Sequence, residues 1–206
     1  MKNVHYRILV YCLIAVTLGI ITTFGNACNI HSVVSDPASD TPGFKLFKGT
    51  TKGFRISFEY PDSWDRVSVD RVGTYSYMPL LPTDCSVIIN TDAKKSKGGT
   101  YSNSSEAIQH GIDSESTLTD FTILKHDMIQ LGQVEGEELM YSYIYPGQDP
   151  HMPVVYASSG ETVIARKIVI DYQDYIYFID LLAAADNYEN AKPGFEHLIA
   201  TFKFLN

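Results

Sequence analysis

The chain has 206 residues, with 16 lysines and arginines against 24 aspartates and glutamates, and a formal net charge of −8. This length suits one domain and allows a hydrophobic core that needs no disulfide or metal support. The acidic balance argues against a nucleic-acid-binding protein, because contacts to phosphates need clustered lysine and arginine. Aromatic residues make up 12% of the chain, with 14 tyrosines and one tryptophan. Such a composition is typical of a globular, strand-rich protein.

The first thirty residues predict an export signal. Lys2 and Arg7 precede an uncharged apolar stretch at 8–24, which is followed by small residues and then Cys28. A positive start, an apolar segment and small residues before a cleavage point are the parts of a signal peptide. A cysteine directly after that point resembles the lipid-modified cysteine of bacterial lipoproteins. Three interpretations stay open, namely a lipoprotein anchored through Cys28, a secreted protein and an uncleaved single-span anchor, and each exports the rest of the chain.

The sequence divides the chain into three parts. Residues 1–27 are predicted as signal peptide, residues 28–43 as a lipidated cysteine with a flexible tether, and residues 44–206 as the domain. The tether is polar, contains two prolines and shows no periodicity, which is typical of a linker. Cys85 lies in an apolar run, and this favours a small buried hydrophobic residue over a reactive thiol.

Alternating apolar and polar residues predict a series of strands through the domain. The predicted strands are 44–48, 54–60, 67–72, 85–90, 121–131, 138–145, 154–156, 162–171 and 175–182. Tight turns join the first two strands and the last two strands into hairpins. The segment 73–83, which contains two prolines, is predicted as an apolar loop that covers a sheet edge or forms a contact surface.

Two helices are predicted among these strands. Asn103 and Glu106 have the spacing of a capping box and predict a helix that runs to about Leu118. Asp186 is predicted to cap a last helix, which Pro193-Gly194 interrupts. Strands joined by tight turns, with helices between them, predict an α+β fold in which helices cover a mainly antiparallel sheet.

Three segments resemble the PsbP-like family. Residues 53–64, with Tyr60-Pro61 and Trp64, resemble the family's opening strand; residues 175–177 resemble its penultimate strand; residues 195–204 resemble its closing helix. The resemblance covers residues 44–206 and implies a central sheet of about six strands between helical layers. It also implies a lineage of binding and scaffolding proteins rather than enzymes, including a photosystem II extrinsic subunit, bacterial lipoproteins and a binder of a small GTPase. The basic docking surface of the photosynthetic members is not evident in this acidic chain, which argues against a photosystem role.

Catalytic and metal-binding patterns are absent from the sequence. It contains no HExxH, GxSxG, P-loop or dinucleotide-binding motif, so no enzymatic activity, metal or cofactor is predicted. Glu135, Glu137 and Glu138 are interpreted as a solvated acidic rim rather than a calcium site. The basic run at 94–97 is interpreted as a solvated loop.

Tyrosines supply the candidate binding residues. Tyr141, Tyr143 and Tyr145 alternate on one face of a predicted strand, and Tyr75 and Tyr77 lie in the apolar loop. Two interpretations stay open, ordinary packing and a contact surface for a ligand or protein, because tyrosine combines apolar area with a polar tip.

These observations predict a non-enzymatic lipoprotein, anchored through Cys28 on the extracytoplasmic side of the cell membrane, that acts as a protein-binding or assembly module. Its partners would be the membrane and a protein, with no nucleic acid. The alternative is a carrier of a small apolar or aromatic ligand, and a hydrolase without a familiar motif is a third hypothesis.

Overall fold

The computed structural model describes residues 33–51, 53–82, 85–147 and 157–205. The predicted signal peptide, Cys28 and the predicted strand 154–156 lie outside these residues. The strands are β1 (Val33–Val34), β2 (Phe44–Lys48), β3 (Ile56–Pro61), β4 (Asp65–Val67), β5 (Asp70–Val72), β6 (Tyr75–Leu81), β7 (Cys85–Ala93), β8 (Thr122–Leu131), β9 (Val134–Ile144), β10 (Thr162–Tyr172), β11 (Tyr175–Ala184) and β12 (Lys203–Phe204). The helices are α1 (Ser104–Glu115) and α2 (Ala185–Thr201), with a 3-10 turn at Lys95–Lys97.

Antiparallel pairing arranges the described strands in two sheets. The larger sheet has the order β1-β4-β6-β7-β11-β10-β9-β8, with β5 also paired to β6, and the smaller sheet has the order β12-β3-β2. Both predicted hairpins are confirmed, as β2–β3 and β10–β11. The α+β class is also confirmed. The expected count of about six strands is too low, since the larger sheet alone contains nine of the described strands.

The largest correction concerns the predicted apolar loop, which contains strand β6. Proline normally disfavours a central strand because it donates no backbone hydrogen bond. Pro79 is tolerated because it pairs with Ile88 of β7, while on the other side of β6 the neighbouring strand is interrupted between β4 and β5. The predicted strand 67–72 is thus observed as parts of two short strands, β4 and β5, separated by residues 68–69.

The closing helix is continuous, so the predicted interruption at Pro193-Gly194 is wrong. Pro193 lies inside α2, and the N-cap is Ala184 rather than Asp186. Gly194 is needed for close packing instead, because a Cβ at this position would lie 2.6 Å from a ring carbon of Trp64. The first helix agrees with its prediction at the N-terminus, where the Asn103 side chain accepts a hydrogen bond from the Glu106 amide at 2.8 Å.

The larger sheet has a packed layer on each face. On one face lie α2 and the smaller sheet, and Phe58 is stacked there between Phe47 and Phe202 at ring-centroid distances of 5.0 and 5.9 Å. On the other face α1 packs on β9 and β10 through Ala107 and Ile108. Full burial of one such apolar side chain contributes roughly 1.5–3 kcal/mol, so these two layers supply the main stabilisation. Cys85 is 4% exposed in the first layer, in agreement with its prediction as a buried hydrophobic residue.

Part of the predicted tether is packed on the domain. β1 pairs with β4, and Asp36 binds Arg66 with a distance of 2.5 Å between Asp36 Oδ2 and Arg66 Nε. The Tyr60 hydroxyl donates a second hydrogen bond to Asp36 at 2.9 Å. The Asp36 carboxylate can hold Arg66 in a bidentate pair. The polar composition of the predicted tether does not reveal that Asp36 has such a partner. The folded unit therefore includes residues from Val33 onward rather than from Phe44.

One hairpin turn carries backbone strain that glycine would relieve. Gln173, in the turn between β10 and β11, has a φ of 52°, a conformation that costs a side-chain-bearing residue about 1–2 kcal/mol. We expect Gln173→Gly to raise the free energy of unfolding by about 0.5–1 kcal/mol. The matched change Asp174→Gly, at a neighbour without positive φ, should lower it. Urea denaturation measures both, and a destabilised Gln173→Gly would contradict the prediction.

Candidate functional site

Strand β8 forms one end of the larger sheet, and its outer edge has no partner strand within the described part of the chain. Ten residues give it a length of about 33 Å, and the first seven of them are exposed. The exposed large hydrophobic residues found in the described part of the chain all belong to β8: Ile123 at 44%, Leu124 at 49% and Met128 at 66%. A long exposed edge with apolar side chains is a template for pairing with another strand. We call Thr122–Leu131 with its open side the β8 edge.

Ionic contacts fix the inner side of β8 to the sheet. Lys125 Nζ lies 2.5 Å from Glu138 Oε2, and Arg166 Nε lies 2.5 Å from Glu138 Oε1. Glu138 is 2% exposed. Burial raises the pKa of Glu138, but the hydrogen bonds and charges of Lys125 and Arg166 outweigh that effect and lower it. Strand β8 is therefore held in one register, and its exposed side chains have a defined spacing.

The predicted acidic rim is wrong for two of its three glutamates. Glu135 is exposed, but Glu137 is 9% and Glu138 2% exposed. Glu137 accepts a hydrogen bond from Ser105 of α1, and its Oε2 lies 3.2 Å from His126 Nε2. A carboxylate desolvated in this way needs such partners. The run of glutamates thus joins β8, β9 and α1 rather than forming a solvated surface.

A second polar group is buried on the α1 side of the larger sheet. Lys167 Nζ of β10 lies 2.8 Å from Glu115 Oε1 of α1, and both side chains are 8% exposed. Asp180, on the adjacent strand β11, is paired directly with Lys167 in the sheet register and is 7% exposed. We call Glu115, Lys167 and Asp180 the ionic centre.

The ionic centre holds one basic and two acidic groups, so its charges do not balance when all three are ionised. Burial lowers the pKa of Lys167, but the Glu115 and Asp180 carboxylates outweigh this effect and raise it to about 12. Burial raises the pKa of Asp180 to about 7, with a further increase from Glu115 and an opposing effect from Lys167. Below about pH 7 Asp180 is therefore protonated beside the charged Lys167.

Polar atoms without a protein partner lie on the same face. These buried atoms belong to Tyr75, Ser86, Asn90, Asp92, Glu115 and Asp180. Buried donors and acceptors usually have partners, which can be ordered water as well as protein. The arrangement therefore provides unused hydrogen-bonding capacity on this face of the sheet.

Four of the five predicted tyrosines lie on two separated strands, and Tyr145 directly follows the second of these strands. Tyr75 and Tyr77 are half-buried on β6, whereas Tyr141, Tyr143 and Tyr145 are 3%, 5% and 4% exposed and belong to the packed layer under α1. β7, β11 and β10 lie between β6 and β9, a separation of roughly 19 Å between the two groups. The tyrosines therefore do not meet in one groove, and ionic-centre residues on β10 and β11 lie between them. Burial is the main reason for the raised pKa of Tyr77, about 12, and of Tyr141.

Sequence reasoning did not identify the ionic centre or the β8 edge. The sequence contained a signal for the ionic centre, since Lys167 and Asp180 interrupt the apolar runs of two predicted strands. The signal for the β8 edge was weaker. Ile123, Leu124 and Met128 are predicted as core residues unless it is known that their strand lies at the end of the sheet. Charged residues at inward positions of strands would have been the useful indicator.

The described residues contain neither a metal-binding cluster nor a membrane-spanning helix. No group of three or more histidine, cysteine, aspartate or glutamate residues there could hold a metal ion. Within the same ranges, no helix is long and apolar enough to cross a membrane.

The described residues define an α+β protein with two antiparallel sheets and two α-helices. No protein-family model matches the chain, and no curated protein matches it significantly. Solved structures do. Cyanobacterial PsbP (CyanoP) from Synechocystis sp. PCC 6803 matches at 14% identity and a TM-score of 0.49, over 83% of this chain and 98% of the other. The Ran-binding protein Mog1p from Saccharomyces cerevisiae matches at 14% identity and 0.48, over 79% and 96%.

A third similar structure is LpqN from Mycobacterium tuberculosis, described as involved in cell envelope biogenesis. It matches at 14% identity and a TM-score of 0.46, over 81% of this chain and 87% of the other. The likeness concerns the course of the chain and does not extend to what this protein binds.

Proposed function

We propose that this protein is a non-enzymatic binding module that docks a protein partner along the β8 edge. The observation that carries the proposal is the concentration of exposed hydrophobic side chains on one open strand, with Met128 at 66% exposure. Addition of a strand to an open sheet edge combines backbone hydrogen bonds for affinity with side-chain contacts for specificity.

The proposal includes the location that the N-terminal sequence predicts. Export followed by lipid attachment at Cys28 would hold the module on the extracytoplasmic side of the membrane. The small-ligand carrier has less support, because three of the tyrosines expected to line its pocket are packed in the layer under α1. Docking along the β8 edge is therefore the preferred function.

Site-specific photo-crosslinking in the native cell envelope tests this function. A photoreactive benzoylphenylalanine at Met128 is expected to give a discrete protein adduct, which mass spectrometry identifies. The matched control is the same residue at Glu189, an exposed position of α2 with a side chain 74% exposed, where no adduct is expected. Equal labelling from both positions, or no adduct from Met128, would overturn the proposal.

A further inference from the structure

We propose that the strand docked on the β8 edge is β8 of a second copy of this chain, paired antiparallel about a two-fold axis at His126. This inference rests on the proposed function of the β8 edge and adds the identity of the partner. The resulting dimer would join two larger sheets into one continuous sheet. Its support comes from the backbone geometry and from the order of side chains along β8.

The backbone of β8 presents the required hydrogen-bonding groups. β8 and β9 are joined by a two-residue turn, Gly132-Gln133, in which Gly132 has a φ of 60°. In such hairpins the flanking pair, here Leu131 and Val134, exchanges both hydrogen bonds, and the bonded pairs then alternate along the ladder. Counting back from the turn, His126 falls at a non-bonded position, so its N–H and C=O point to the open edge. Two such residues facing each other across a two-fold axis can exchange both of their hydrogen bonds.

The side chains of β8 complement themselves in this register. An axis at His126 places Lys125 opposite Asp127 of the other copy, and the symmetry makes this opposite-charge pair twice. It also places Leu124 opposite Met128, two of the exposed hydrophobic residues. Opposite charges and apolar pairs directly across an antiparallel ladder are stabilising.

Neighbouring registers lack this complementarity. An axis at Lys125 or at Asp127 would place like charges opposite each other. An axis at Met128 would place Asp127 opposite Ile129 and Lys125 opposite Leu131. Register in a β-pairing is set by such patterns, and the sequence of β8 therefore selects the axis at His126.

The β8 edge also has features that usually prevent pairing. A register irregularity lies between Ile123 and Lys125, and bulges and edge lysines discourage docking of foreign strands. Within one chain Lys125 Nζ already lies 2.5 Å from Glu138 Oε2 and 3.5 Å from Asp127 Oδ2. The self-paired register adds the Asp127 carboxylate of the other copy to these ionic contacts. A second copy presents Asp127 opposite Lys125, which an unrelated strand does only if it carries an acidic residue at that position, and this requirement is a source of specificity.

Disulfide trapping of the full chain in mild detergent tests the register. His126→Cys is expected to form a disulfide-linked dimer under mild oxidation, because a bonded antiparallel pair has a Cα separation of about 5.5 Å, within disulfide range. The matched control is Gln130→Cys on the same edge, because the two copies of residue 130 would lie roughly 27 Å apart. The wild-type chain, with its own cysteines, gives the background.

A charge reversal provides a second, independent readout. Asp127→Lys places lysines opposite each other twice and is expected to weaken self-association by at least about tenfold in native mass spectrometry across a concentration series. Asp62→Lys, the same charge change at an exposed position after β3, should leave it unchanged. A monomeric wild-type chain, equal trapping of residues 126 and 130, or unchanged association of Asp127→Lys would each overturn the proposal. If the photo-crosslinker at Met128 then labels a different protein, the docking function stands and only the second copy is excluded.

Discussion

Replacement of Lys167 by methionine is expected to lower the free energy of unfolding by about 3–5 kcal/mol, the usual cost of removing one partner from a buried ion pair. Lys167 and Glu115 are both 8% exposed, and they make a 2.8 Å contact between Nζ and Oε1. Without the lysine, Glu115 and Asp180 would share a buried site with no compensating positive charge. Urea denaturation at pH 7.5 measures the loss.

Two further variants make this prediction specific. Lys192→Met removes a lysine with a side chain 37% exposed from an i,i+3 pair with Glu189 and should change stability by less than about 0.5 kcal/mol. Adding Glu115→Gln to Lys167→Met should recover part of the loss, because the uncompensated carboxylate is then removed. A Lys167→Met protein as stable as the Lys192→Met control would show that the ionic centre does not hold a buried ion pair in solution.

Replacement of Asp180 by asparagine should stabilise the protein at pH 8 and have little effect near pH 4. The pKa of Asp180 is raised from 3.8 to about 7, mainly by burial. The native state therefore keeps a proton that the unfolded chain releases above pH 4. The stability that this proton contributes is fully present below about pH 4 and is lost as the pH rises to about 7. Asparagine has no proton to lose, so the variant gains up to about 4 kcal/mol over wild type at pH 8.

The measurement is urea denaturation of both proteins at pH 4.5 and pH 8. Asp62→Asn, at an exposed position, is the matched control and should follow wild type at both pH values. If Asp180→Asn and wild type differed in free energy of unfolding by the same amount at both pH values, Asp180 would have the same pKa in the folded and unfolded chain. The prediction that burial raises the pKa of Asp180 in the folded protein would then be wrong.

Local sequence patterns predicted the helices and strands whose formation depends on residues close to one another in the chain. The β10–β11 hairpin follows from alternation on both sides of a two-residue turn, and the Asn103 cap follows from the short reach of its side chain to the Glu106 amide. The α+β class follows from the order of these elements. No tertiary contact is needed to recognise any of them.

Patterns failed where a distant partner decides the outcome. Pro79 indicated a loop, but the break between β4 and β5 provides a place in a sheet for a residue without an N–H. Pro193-Gly194 indicated a helix end, but Trp64 packs against Gly194 and the helix continues. The polar segment before Phe44 indicated a tether, but Arg66 binds Asp36. For Pro79 and for Asp36 the structural feature that decides the outcome is remote in sequence.

The sequence by itself determined the strand-rich α+β class and the two hairpins, because these depend on local periodicity and turn chemistry, whereas export of the chain stays a prediction. The tertiary structure alone decided which residues could act together. It separated Tyr75 and Tyr77 from the β9 tyrosines by three strands, brought Glu115 to Lys167, and gave the outer side of β8 no partner strand among the described residues. The physical reason is that side-chain function depends on strand order, and strand order is set by long-range pairing that no local pattern encodes.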